Sequence, residues 1–158
     1  MSHARLRLPP GRQRGFSMIE VLIAIVVLAI GLLGFALLQT TNLRYTQSAN
    51  NRTLATNLAY SLLDQMRTNR LSAAKYTAAG FTANSLTRAT ACAPVTGTDA
   101  VAQGIGNWRC QAINALGPTT AATVTYSATG VATVQLTWGE RSATANESQS
   151  TFTASTQL

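Results

Sequence analysis

Gly15-Phe16-Ser17-Met18-Ile19-Glu20, continued by Val21-Leu22-Ile23-Ala24-Ile25-Val26-Val27-Leu28-Ala29-Ile30-Gly31-Leu32-Leu33-Gly34-Phe35-Ala36-Leu37-Leu38, is the stretch around which the chain is arranged. From Phe16 to Leu38 an α-helix would be about 35 Å long, against a hydrocarbon core of about 30 Å, so it spans a bilayer with modest tilt. Glu20 is its only charge. At mid-membrane a carboxylate costs about 2.5–3.5 kcal/mol on the insertion scale, and less near the end, where Glu20 lies. The glutamate is tolerable there, but nothing in hydropathy asks for it.

The order of the flanking residues does ask for it. A secretory signal peptide carries its small-residue cleavage site after the apolar run, whereas here the small residue, Gly15, precedes the run and comes directly after Arg12 and Arg14. Cutting between Gly15 and Phe16 removes a charged leader and leaves the apolar helix as the new N-terminus. A plain signal anchor has the same hydropathy but keeps residues 1–15 attached.

Gly15-Phe16-Ser17-Met18-Ile19-Glu20-Val21-Leu22 resembles the class III leader and helix start of type IV pilins and pseudopilins. That resemblance implies cleavage by a prepilin peptidase after Gly15, N-methylation of Phe16, and a role for Glu20 in assembly. The chemistry is coherent. A carboxylate buried among packed helices needs a cation, and the α-amino group of a neighbouring subunit's Phe16 supplies one, setting the axial register.

The chain has 158 residues and a formal net charge of +7, but Arg5, Arg7, Arg12 and Arg14 all lie in the leader, and +3 remains without them. The leader's charge orients the membrane span, placing the chain beyond Leu38 outside the inner membrane. His3, the only histidine, lies in the leader too. Pro9-Pro10-Gly11 predicts a non-helical piece ahead of the cleavage site.

After Pro10 no proline occurs until Pro94, and no glycine between Gly34 and Gly80. The helix is therefore expected to run from about Phe16 to about Asn69. Leu54, Leu58, Leu62 and Met66, flanked by Ala55, Ala59 and Leu63, form an apolar stripe over its second half, suited to packing under a sheet. Gly31 and Gly34 lie on one face of the span, where small residues either let helices approach closely or mark a segment that loosens on assembly. Many major pilins carry a proline in this region, and this chain has Leu37 there instead.

Further stretches, Ala29-Ile30-Gly31-Leu32-Leu33-Gly34, Leu38-Gln39, Asn57-Leu58-Ala59-Tyr60 and Asp64-Gln65-Met66-Arg67-Thr68-Asn69, are similar to PilV-type minor pilins, also called type IV pilus modification proteins. The likeness covers roughly residues 15–70.

Past Gly80 the composition turns to Thr, Ala, Ser and Gly. Cys92 and Cys110, the only cysteines, lie on the side of the membrane where disulfides form. With no Cys-x-x-Cys and no nearby histidine, they are expected to form a structural bridge closing a loop of little apolar content. Two cysteines without a histidine do not complete a zinc site. Trp108 is expected to pack against the bridge. Val124 and Tyr126, then Ala132, Val134, Leu136 and Trp138 with Gly130 before them, alternate as strands do, and Thr151-Phe152-Thr153 is a candidate last strand.

The expected fold is α+β and pilin-like. It comprises a cleaved leader (1–15), a transmembrane or filament-core helix (16–38), an amphipathic half of the same helix (39–72), and a periplasmic head (73–158) with a small antiparallel sheet and a disulfide-closed loop. Asp64, Asp99, Glu140 and Glu147 are scattered, and no phosphate-cradling glycine motif is present, so no catalytic constellation, metal or cofactor is expected. The resemblance implies a minor pilin in the initiation and assembly of type IV pili, in a tip or priming complex, with effects on twitching motility and adhesion. Its implied partners are other minor pilins, the major pilin, prepilin peptidase and the inner-membrane assembly platform, first in the inner membrane and then in the surface fibre. A minor pseudopilin of a type II secretion system shares the same helix start. A DNA receptor subunit would rest on Arg44, Arg52, Arg67, Arg70, Lys75 and Arg88, which are spread out with little aromatic interleaving, so nucleic acid is a poor candidate partner.

Overall fold

The computed structural model of the protein describes residues 15–140 and 149–158. The leader up to Arg14, with its arginines and Pro9-Pro10-Gly11, and Glu147 lie outside the described residues.

Helix α1 runs Met18–Thr68, close to the span expected from the absence of breakers. The Ser17 carbonyl opens it by accepting from the amides of Glu20 (3.0 Å) and Val21 (3.3 Å). Contacts divide the chain into two compact units at Thr41 and Asn42. In the first, every α1 residue from Met18 to Thr40 is exposed. In the second, the stripe read from sequence is the buried face: Ala55, Leu58, Ala59, Leu62, Leu63 and Met66 lie in the core, with Leu54 packed at its edge.

Beyond α1, Arg70–Ala79 forms a 3₁₀ helix, an unusual length for that conformation. Its buried residues are Ala73, Tyr76 and Ala79, three apart, which three residues per turn place along one edge. A short helix α2, Arg88–Ala91, starts on a capping box between Thr87 and Thr90.

Helix α3, Ala100–Leu116, corrects the sequence reading of the cysteine-closed region as a loop poor in apolar residues. Asp99 caps its start, accepting from the Val101 amide (3.0 Å). Gly117, at φ 89°, ends it, donating its amide to the Ile113 carbonyl. Val101, Ile105, Trp108, Ala112, Ile113 and Leu116 are buried on its inner face. Gly106 leaves room for Val95 of the preceding segment to lie against the helix. Trp108 does not pack on the bridge. It stands two residues from Cys110, hence on nearly the opposite side of the helix, donates Nε1–H to the Leu58 carbonyl (2.8 Å), and meets the Phe81 ring edge-on.

The three strands expected from alternation are present: β1 Ala121–Tyr126, β2 Val131–Gly139 and β3 Gln149–Gln157. They form one antiparallel sheet in the order β1-β2-β3. Gly130, at φ 81°, turns the β1–β2 hairpin. Ala132, Val134, Leu136 and Trp138 face the core with Ala122, Val124 and Ala154, against the α1 stripe and Trp108. The long helix packed on a small sheet, with a Cys92–Cys110 disulfide, is the α+β pilin-like architecture.

Candidate functional site

Two sets of residues were singled out by sequence, and they lie in different units. Gly15, Phe16 and Glu20 occupy the first described residues, at and before the start of α1. Phe16 is 84% exposed, and the large side chains beyond it on α1, from Met18 to Leu38, are all exposed. This part of α1 is long and apolar enough to cross a membrane, and none of it is buried within the protein. Glu20 sits in the first turn, where a carboxylate is favoured by the helix dipole, and makes no side-chain hydrogen bond or ion pair among the described residues. An apolar surface of this extent, bare in water, would be incompatible with solubility; bilayer or packed neighbouring helices are the media that accept it.

Cys92 and Cys110 are joined as expected. The bridge ties the C-terminal end of α2 to the middle of α3, and the Asn114 amide nitrogen, one helical turn beyond Cys110, lies 3.4 and 3.5 Å from its two sulfurs. Cys92 is exposed and Cys110 half-buried, so the bond closes the rim of the head rather than filling its core.

Two further clusters escaped the sequence reading. Arg109 spends its guanidinium on the end of the 3₁₀ helix: Nε donates to the Ala79 carbonyl (3.3 Å), and Nη2 to the Gly80 carbonyl (3.0 Å) and the Ala78 carbonyl. Terminal carbonyls of a helix lack internal partners and carry partial negative charge, so a cation there both satisfies and stabilises them. Glu140, just after β2, accepts from the Ser48 hydroxyl of α1 (2.7 Å) and from Trp138 Nε1–H (3.2 Å). Burial pushes its pKa up, but hydrogen bonds from Ser48, Ser150 and Trp138 outweigh it, with the Arg52 charge adding, and the net position is below the ordinary 4.5. Neither cluster has a one-dimensional signature, because Arg109 reaches carbonyls 29 to 31 positions away and Ser48 lies 92 positions from Glu140.

The cations named for a nucleic-acid surface are partly engaged. Arg67 pairs with Asp64 (3.0 Å) and donates to Thr156 Oγ1 (2.8 Å), and Lys75 lies 3.5 Å from Asp99. Among the described residues no group of three or more His, Cys, Asp or Glu side chains is gathered as metal ligands are.

No curated protein and no solved structure matches the chain. Residues 10–36 match the family described as prokaryotic N-terminal methylation motif, a prepilin-type motif that covers the leader junction, Glu20 and most of the exposed apolar helix. Together with the fold, that match supports a membrane-anchored, type IV pilin-like chain that is a substrate of prepilin peptidase and a component of pilus-like assemblies.

Proposed function

We propose that the chain is a minor pilin of the PilV type, cut between Gly15 and Phe16, methylated on Phe16, and held in the inner membrane by residues 16–38 with the 73–158 head in the periplasm. It then joins other minor pilins in the complex that primes type IV pilus assembly, before entering the fibre beside the major pilin. Twitching motility and attachment depend on it through filament number. The role is structural; the chain is acted on by enzymes rather than acting as one.

The observation that supports this most is the coincidence of the methylation motif with an α1 surface exposed from Met18 to Thr40. In a filament those helices bury one another, and Glu20 then loses its solvent. The α-amino group of a neighbouring Phe16 restores the balance, and only one axial offset between subunits brings the two together.

The test is Glu20→Ala in cells that lack the wild-type copy. Leader removal is expected to proceed normally, since the Gly15–Phe16 junction is unchanged. Incorporation is expected to fall steeply, because leaving one member of a buried ion pair unpaired costs about 3–5 kcal/mol. Fibre number and twitching at wild-type level in the variant would remove Glu20 from the mechanism.

A further inference from the structure

The two edges of the sheet are finished differently. On β1, Phe81 forms an antiparallel bridge to Ala122, exchanging N–H···O bonds of 2.9 and 2.8 Å. On β3, nothing among the described residues pairs with the outer edge. The strand itself lacks the charges, prolines and bulges that blunt an edge: Gln149–Gln157 contains no charge and no proline, and its register with β2 is unbroken from end to end.

The direction of its backbone groups is fixed by register. The Leu158 amide donates to the Gly130 carbonyl, so even-numbered residues of β3 turn their N–H and C=O toward β2. Gln149, Thr151, Thr153, Ser155 and Gln157 turn theirs outward. β3 also reads nearly the same in both directions about Thr153: Gln149 mirrors Gln157, Ser150 mirrors Thr156, Thr151 mirrors Ser155, and Phe152 mirrors Ala154.

We infer that the outer edge of β3 is a homophilic docking site, occupied by β3 of a second copy in antiparallel pairing centred on Thr153. This register uses the whole strand and sets Gln opposite Gln and Ser or Thr opposite Ser or Thr, with Phe152 opposite Ala154 the one unlike pair, and outward-turned residues face each other for about ten N–H···O bonds. Phe152, half-buried on the core face, comes opposite the small Ala154 of the other copy and extends the apolar layer across the junction. Charge does not oppose a second copy. The chain is net positive and repels itself, but no charged residue lies between Cys110 and Gly139 or within β3, so this edge admits a like-charged partner.

Antiparallel pairing also fixes how the two copies are oriented. Along α1, Ser48 meets Glu140, Tyr60 meets Phe152 and Arg67 meets Thr156, so α1 over this segment runs in the direction of β3. An antiparallel β3 pair therefore opposes the two α1 segments. It joins copies head to head, unlike the side-by-side packing of helices proposed for residues 16–38, and the inference does not depend on that reading.

The experiment uses the full chain purified in detergent. Thr153→Cys is expected to form a covalent dimer under mild oxidation roughly tenfold or more faster than Thr125→Cys, an exposed position on β1, because the central pair holds two copies of one residue within disulfide reach. Thr151→Cys and Ser155→Cys should cross-link with each other when mixed, and poorly alone. Thr153→Lys, whose side chain stands on the exposed face, sets like charges directly opposite and should weaken self-association measured by sedimentation about fivefold or more, while Thr125→Lys leaves it unchanged. A monomer at every concentration, equal cross-linking at positions 125 and 153, or association that survives Thr153→Lys would overturn the inference. The last result would assign self-association to the apolar helix, which the lysine does not touch.

Discussion

Glu140 shows how one carboxylate ties the long helix to the sheet. It receives hydrogen bonds from Ser48 on α1, Trp138 on β2 and Ser150 on β3, and these hold its pKa below 4.5 despite the burial that opposes them. A group depressed on folding stabilises the native state above its unfolded value and loses that contribution as pH falls through its folded value. Unfolding midpoints monitored in denaturant from about pH 6 to about pH 3 should therefore decline, and Glu140→Gln should flatten part of the decline. At neutral pH the same substitution should cost about 1 kcal/mol, discounted for the solvent that still reaches the site. Asp99 is lowered too, chiefly by the Val101 amide and then, against the opposing effect of desolvation, by Lys75, so the variant retains some acid sensitivity. No residue pattern foretells this cluster. Ser48 and Glu140 are 92 positions apart, and only the sheet's register brings Ser150 beside them.

At the scale of elements, α1 and the strands were legible because each states its period openly. The stripe from Leu54 to Met66 repeats at helical spacing, and β2 alternates without exception from Ala132 to Trp138. Helix α3 was missed although Asp99 and Gly117 mark its ends, since Gly104 and Gly106 interrupt the interior and two cysteines drew the region toward a loop. Those glycines answer to packing. Gln65 Oε1 lies 3.0 Å from where a Cβ on Gly104 would stand, and Val95 occupies the space beside Gly106. The 3₁₀ segment was missed because Ala73, Tyr76 and Ala79 repeat at three, which matches neither helix nor strand. If the cap holds α3 as the structure has it, Asp99→Ala should lower stability modestly, by removing the acceptor of the Val101 amide. Its effect should appear in the amide exchange of the first turn of α3 ahead of the rest of the head. Uniform loss across all elements would contradict a local capping role.

At the scale of the whole molecule, the two units answer to different solvents. From Asn42 onward the chain buries an ordinary core, in which Trp108, Trp138, Tyr76 and the α1 leucines close over one face of three strands. The disulfide secures the segment between α2 and α3, where every residue from Cys92 to Ala100 is exposed. Its removal by reductant, or by Cys92→Ser with Cys110→Ser, should cost about 3 kcal/mol by chain entropy, read as a lowered denaturation midpoint. An unchanged midpoint would mean that Val95 and the α3 face already hold the segment.

Among the described residues before Thr41 nothing is buried, and the proposed assembly depends on what this helix becomes once the leader is gone. Intact mass and N-terminal sequence of the protein, recovered from membranes and from sheared surface fibres of expressing cells, test that claim most directly. The account predicts a chain that begins at N-methylated Phe16 in both fractions. A chain that still begins at Met1 or Ser2 and stays in the membrane would contradict it, and Glu20 would then be only a tolerated charge at the head of an ordinary anchor.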